Sequence, residues 1–476
     1  MGVVQHPEEI DRNPCKIPDL VFGVGWIMGV VAMMTVAFEY GWDDVGSVDY
    51  DDDDHENKKK AVRGILKVFL LAFFFALVLS QLAMSVMMRF GGTMIHVSML
   101  FGEMLLLGCG IVSLEQHGRW FVATVFFGLF GCLVVFHCCS MSRIRYAAVT
   151  LHVGCNIVLS YPVLQLVAFA AAAVSVVFMF VFALATFGYY NYKKDTGKSD
   201  REMAFVILTF VFIFFWSQQV FKYILTATTA GTAHAWWYGR YPSLLEHPAF
   251  NAFCRNVTYN LGSIAFGAAV VAVVETLVVA IQWLRKKAKK YPGGTCVSCL
   301  LCCVQCCLGC CASTMDYINK YAFVYVGIHG YSYLYAGRKV VQLFSHHGFT
   351  VIGADFFIDM ILFLNHVVVG ITTAAFGVLL VKSGPDKWSK HAASAQVIVG
   401  LFCGLAGCAI SGIIFSVVDG ANKATLVLFA DNPHVLEDTH PDEFKMVSEA
   451  WADLGKQIKD DDKDDDDEET KGSDHV

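Results

Sequence analysis

Charge is scarce in this sequence. Only 16% of its 476 residues are Asp, Glu, Lys or Arg, against 56% hydrophobic ones, and the mean hydropathy is +0.53. Soluble domains carry about 25% charged residues, so no water-soluble core could hide this much apolar surface. Basic patches of the kind that bind nucleic acid are also missing. The few Lys/Arg clusters flank hydrophobic runs, where membrane topology accounts for them. The chain lacks a phosphate-binding loop, a dinucleotide fingerprint and a His-Glu-x-x-His pair, and "GTAHAWWYG" is not a nucleophile elbow. No catalytic residue, cofactor or metal is therefore expected. The N-terminal "MGVVQHPEEIDRNPCKIPD" has no short apolar core with a cleavage site. His6 stands where a myristoylation motif carries Ser or Thr.

What the chain has is long apolar runs, rich in Phe (38) and Gly (40), as packed membrane helices require. A membrane helix needs about 20 mainly apolar residues. Ten segments qualify: 20–40, 65–88, 94–114, 120–139, 144–161, 163–190, 203–226, 259–284, 353–381 and 393–418. Pro162 separates the fifth from the sixth. The fold expected is an all-α, polytopic membrane helical bundle of about ten transmembrane helices. The segment Asn319 to Phe344 is apolar but rich in Tyr and Gly, and reads as one further interfacial or re-entrant helix.

The net charge of -7 belongs to a tail. Asp460 to Glu469 holds nine acids and one Lys, and without it the rest of the chain is within one charge of neutral. Such a run is a solvated, disordered segment. "SMSRIR" (Ser140 to Arg145), "KKDTGKSDR" (Lys193 to Arg201) and "RKKAKK" (Arg285 to Lys290) fall on one side if the ten helices alternate. By the positive-inside rule that side is the cytosol, with both termini there. The lysines of "KSGPDKWSK" (Lys382 to Lys390) oppose this assignment. The divisions expected are a cytosolic segment 1–19, a transmembrane domain 20–418 with a cytosolic Cys-rich loop at 285–318, and a cytosolic segment 419–476. Outward loops cover Gly41 to Arg63 and Ala227 to Thr258, and the second ends on a glycosylation sequon at Asn256.

Ionisable groups inside a bilayer cost several kcal/mol unless paired or wet, so each is a functional candidate. Glu103, Lys222, Glu275, Asp355 and Asp359 fall within apolar segments, and Glu39 and Asp419 near their ends. Glu103 and Glu275 read as part of a substrate or proton path. The alternative is a buried pair with Lys222 as its charge partner. Trp216, Tyr223, Trp236, Trp237 and Tyr238 cluster about the end of the seventh segment. They could form a cage for an organic cation or an interfacial aromatic belt.

Eight of the 17 cysteines lie in "CVSCLLCCVQCCLGCC", Cys296 to Cys311. A reducing cytosol disfavours disulfides, and a zinc tetrahedron needs two separated ligand pairs. On a helix, Cys302, Cys306 and Cys310 and the row Cys303, Cys307 and Cys311 share a face with Leu and Val. That pattern beside a basic run suits S-palmitoylation, or a stretch of small apolar residues lying in the interface.

Four stretches resemble the choline transporter-like family, in the family's order. They are "TTAGTAHAWWYG" (Thr228 to Gly239), "RNVTYNLGSIAFGAAVVAVVETL" (Arg255 to Leu277), "YINKYAFVYVGIHGYSYLYAGRKVVQLF" (Tyr317 to Phe344) and "SVVDGANKATLVLFADNP" (Ser416 to Pro433). The resemblance implies ten helices, cytosolic termini and a secondary-active or facilitative transporter of choline or ethanolamine, at the plasma membrane or an organelle. It implies a small organic cation as the partner within a lipid bilayer, with no nucleic acid. It also adds Asn260 to the candidate binding residues. The other functions in view are an ion or proton pathway and a membrane scaffold that does not transport.

Overall fold

A backbone crossing hydrocarbon has no water to satisfy its polar groups, so it must bond to itself, and a helix does this within one segment. The computed structural model describes residues 19–41, 52–115, 120–196, 200–239, 247–288, 294–382 and 392–453, and among these there is no strand. The helices are α1 (Leu20–Val36, with a π-helical turn Ala37–Gly41), α2 (Asp52–Glu115), α3 (Trp120–Cys139), α4 (Met141–Ser160), α5 (Val163–Thr196), α6 (Asp200–Trp237) and α7 (Pro248–Thr258). Then follow α8 (Leu261–Ala288), α9 (Gly294–His329), α10 (Tyr333–Lys382), α11 (Ala392–Asp431), α12 (Pro433–Thr439) and α13 (441–453). The loop lysines at 383–390, the acidic run at 460–469 and residues 1–18 lie outside the described residues.

Ten helical stretches among the described residues are long and apolar enough to cross a membrane. The expected number is met, and nine of the expected segments coincide with them. One member is exchanged. Residues 144–161 form α4, but it carries Arg, Ser, Thr and His, and ten of its twenty residues are buried. A helix wrapped in protein needs no lipid-compatible surface. In its place stands Val297–His329. The Cys-rich stretch, expected as a loop, is the first half of the 36-residue helix α9. Thiols are apolar enough to stand on a lipid-facing helix, and no proline interrupts them. The Tyr-rich segment 319–344 is shared between the end of α9 and the start of α10, with a break at Gly330 to Ser332. Gly330 turns the chain at φ 71, where a side chain would be strained.

The chain forms two compact units. The first comprises residues 1–68, 161–235 and 243–342, the second 69–160, 236–242 and 343–476. In the first, Met33, Phe178, Ala185, Phe210 and Ile213 make an apolar core from α1, α5 and α6. Small residues let its backbones approach: Gly23 lies against Gly262, and Gly327 of α9 against Ala227 of α6. In the second, Gly154 of α4 lies against the backbone at Asn422 of α11, and Gly377 and Gly407 let α10 and α11 meet beside Cys403 and Thr373.

A Cβ added at Gly327 would come within 2.8 Å of the Ala227 Cα, whereas one added at Gly309 on the same helix meets nothing within 4 Å. Overpacking costs about 1–3 kcal/mol. Gly327→Val is therefore expected to lower the thermal midpoint of the detergent-solubilised protein by several degrees, read from loss of the monodisperse chromatographic peak. Gly309→Val should leave it unchanged.

Candidate functional site

Gln219, Lys222 and Tyr223 occupy one face of α6, at i, i+3 and i+4. Lys222 Nζ donates to both oxygens of Asp316 on α9, at 3.0 and 3.3 Å, and the Tyr223 hydroxyl donates to the same carboxylate. The Tyr223 ring stacks on Phe323, with centroids 4.1 Å apart, and the Lys222 ammonium lies 5.2 Å from that ring's centre. One turn back, Gln219 Nε2 donates to Glu275 Oε1 of α8 at 2.9 Å. The other oxygen, Glu275 Oε2, is buried with no hydrogen-bond partner among the described residues. This group holds two carboxylates and the Lys222 ammonium, and Lys320 of α9 also acts on Asp316. The carboxylate bonded to Lys222 is Asp316, and Lys222 also acts on Glu275 through space. Sequence reasoning missed Asp316 because it placed the residue in a loop.

Further along the same helices lies a polar centre built on two interruptions. Asn256 of α7 donates to Thr228 Oγ1 at 3.3 Å and accepts from Asn260 Nδ2 at 2.7 Å. Asn260, in the gap between α7 and α8, also donates to the Val326 carbonyl at 3.3 Å, and the Arg255 guanidinium donates to the Gly327 carbonyl. The Asn260 Oδ1 is buried and has no partner among the described residues. Asp19 accepts from the Ser263 hydroxyl at 2.9 Å and from the Tyr333 N–H at 3.3 Å. Its carboxylate thus stands at the first turns of both α8 and α10, where helix dipoles favour a negative charge. Asn256 is completely buried. In this fold the sequon residue is an internal hydrogen-bonding group.

The five candidate aromatics do not share one environment. Trp216 and Tyr223 belong to the first unit, and Trp236, Trp237 and Tyr238 to the second. The Trp216 indole donates to the Ala265 carbonyl at 2.8 Å, and that of Trp237 to the Asn432 carbonyl at 3.2 Å. His440 covers the face of Trp236 with centroids 3.8 Å apart, and burial holds that imidazole below its ordinary pKa. Tyr238 is half-buried.

The second unit holds two further charged groups. Lys423 of α11 is completely buried; its Nζ lies 2.8 Å from Asp355 Oδ1 and 3.7 Å from Asp359 Oδ1, both on α10, and bonds to Asp419 one turn back. Oxygens of the three aspartates lie within 4.8 Å of one another. A cation could bridge such a set, but an ammonium already stands among them. The Asp419–Lys423 spacing of four was the available signal for this group, and the expected list passed over it. Glu103 Oε1 lies 2.8 Å from His137 Nδ1, and His137 Nε2 lies 3.1 Å from His96 Nδ1. These three form one hydrogen-bonded row.

The sequence model of a family described as plasma-membrane choline transporter matches residues 124–434. That stretch contains Lys222, Asn256, Asn260, Glu275, Asp316 and Lys423, and leaves Glu103 outside. Among curated relatives, the chain is 25% identical over 258 residues to protein PNS1 of Mycosarcoma maydis, covering 54% of this chain and 48% of the relative. It is 24% identical over 332 residues to PNS1 of Debaryomyces hansenii, covering 67% and 64%. Against PNS1 of Saccharomyces cerevisiae it is 22% identical over 450 residues, covering 91% and 82%. The chain thus spans about half to two thirds of the length of the first two.

Removing one partner of a buried ion pair costs about 3–5 kcal/mol, because a charge is left uncompensated. Lys423→Met is expected to abolish the folded peak in fluorescence-detected size-exclusion chromatography. Adding Asp355→Asn and Asp419→Asn should recover part of it. A single variant that elutes like the wild type would remove Lys423 from this role.

Proposed function

The chain belongs to the choline transporter family, and on that premise we propose that it carries choline or a closely related organic cation, ethanolamine included, across a membrane. The observation that carries this reading is the buried Glu275 oxygen beside the Lys222 group, which has no hydrogen-bond partner among the described residues. Lys222 and Asp316 neutralise each other. Glu275 is left with one oxygen bonded to an amide and the other buried without a partner. A substrate cation would give that oxygen its partner. A quaternary ammonium donates no hydrogen bond, so it is recognised by a carboxylate at short range and by aromatic faces. Tyr223 and Phe323 supply aromatic surface beside the ion pair. The interrupted helices next to it, α7/α8 and α9/α10, follow a pattern common at transporter binding sites, where broken helices meet in the bundle. In this reading Glu275 binds the cation, Asn260 and Tyr223 shape the site, and Lys222 and Asp316 keep it preorganised. The plasma membrane is the setting favoured by the family.

A second reading is favoured by the Glu103, His137 and His96 row in the second unit. Such a row can pass a proton, and its mark would be proton flux without substrate that Glu103→Gln suppresses.

Uptake of labelled choline and ethanolamine into proteoliposomes tests the main reading. A charge-assisted contact contributes about 1.5–3 kcal/mol. Glu275→Gln is therefore expected to lower uptake about ten- to a hundredfold, with expression and elution profile retained. Wild-type protein that moves neither amine above empty vesicles would sink the assignment. Wild-type rates in Glu275→Gln would move the binding charge elsewhere.

A further inference from the structure

The α9 thiols form a surface that the transport reading does not use. Cys299, Cys303, Cys306, Cys307, Cys310 and Cys311 are all exposed free thiols, and Cys302 is half-buried. Large apolar side chains stand out beside them: Leu300 is 66% exposed and Val297 51%. Water would not be faced by leucine, valine and thiols over three turns, so this half of α9 faces lipid.

The neighbouring helix shows where along α9 the lipid ends. α8 finishes with Arg285, Lys286 and Lys287 in its last turn. The Lys287 ammonium lies 3.9 Å above the Trp283 ring, a Trp–Lys pairing typical of the headgroup level. Arg285 Nε donates to Ser298 Oγ and its Nη1 to Gln305 Oε1, both at 3.4 Å. The stretch of α9 between Ser298 and Gln305 is therefore level with the basic end of α8. Three exposed thiols fall in or next to that stretch, Cys299, Cys303 and Cys306. Their spacing of i, i+4 and i+7 puts them on one stripe of the helix. Cys307, Cys310 and Cys311 continue toward Asp316, away from the basic end.

We propose that Cys299, Cys303 and Cys306 are S-acylation sites, modified with long-chain fatty acyl groups. The donor class is a long-chain acyl-coenzyme A, delivered by a membrane-bound acyltransferase. The cysteine sulfur attacks the thioester carbonyl, the bond from that carbonyl to the coenzyme A sulfur breaks, and the cysteine proton ends on the departing thiol. Nothing is oxidised or reduced. Arg285, Lys286 and Lys287 suit the step, because their positive charge at this level attracts the donor's phosphates. A soft-metal site is the competing use of clustered thiols. Among the described residues, the only three-donor group tight enough to hold an ion is made of aspartates and includes none of these cysteines.

The test uses the full chain expressed in a eukaryotic host that has such acyltransferases. Free thiols are blocked, thioesters are cleaved with neutral hydroxylamine, and the released thiols take a maleimide mass tag read on a gel. A hydroxylamine-dependent shift is expected, lost in the triple variant Cys299→Ser/Cys303→Ser/Cys306→Ser and kept in Cys307→Ser/Cys310→Ser/Cys311→Ser. No shift in the wild type overturns the proposal, as does a shift that survives the first triple variant or disappears only in the second. Peptide mass spectrometry of the wild type alone locates the acyl groups, so the result holds even if a variant fails to fold.

Discussion

An ammonium in hydrocarbon is tolerable only with a carboxylate against it, and two lysines impose that condition on this bundle. Lys423 is sealed from solvent and draws in Asp355 and Asp359 from α10 and Asp419 from its own helix. Lys222 draws Asp316 of α9 against α6. Desolvation costs several kcal/mol for each ion, recovered only at short range. Each pair therefore sets the register of two helices far more sharply than apolar contact could. The glycines at the crossings permit close approach along a whole stripe, while the ion pairs select one position along it. Lys423 is also outnumbered by the carboxylates around it. In the first unit Glu275 keeps one buried oxygen without a hydrogen-bond partner among the described residues.

The same rule governs the backbone at the interruptions. Where α9 ends at His329, the Gly327 carbonyl has lost the donor four residues on, and Arg255 supplies one. Asn260 adds a second donor to the Val326 carbonyl, beside the Gly330 N–H, and Asp19 meets the first N–H of α10. A continuous helix would need none of these side chains. The gaps at Tyr259 to Asn260 and Gly330 to Ser332 thus bring polar groups to a depth where an unbroken helix presents only hydrocarbon. A site that must strip the water from a small cation and replace it needs such groups.

Much of this was legible in the sequence, for a physical reason. A helix facing lipid must be apolar on every side, so its length and composition betray it, and nine of ten spans followed. The exception has the same cause. α4 is enclosed by protein and need not be apolar all round, whereas the thiol-rich half of α9 meets lipid directly. Glu103, Lys222, Glu275, Asp355 and Asp359 stood out as charges in apolar runs. Their partners did not. Asp316 is 94 residues from Lys222 and Asp355 is 68 from Lys423, and separations of that size leave no local pattern. Asn256 misled for a related reason: a three-residue motif carries no information on burial, and the structure spends that amide on Thr228.

α9 joins these arguments in one element. Its first half exposes thiols to lipid, its middle carries Asp316, and Tyr321 to Ile328 at its far end are all buried. A helix of 36 residues is about 54 Å long, well beyond the roughly 30 Å of hydrocarbon it must cross. Within one unbroken helix, a displacement at one end is carried to the other. Holding the thiol end in the membrane therefore also fixes where Asp316 meets Lys222 and where the Val326 and Gly327 carbonyls meet Asn260 and Arg255. The chain turns between α9 and α10 at Gly330, and the Tyr333 hydroxyl just beyond it bonds back to Asn319 of α9. Motion that opened the polar centre by moving α9 would have to pivot there. Motion about the α7/α8 gap would leave α9 in place and break the Asn260 and Arg255 bonds instead.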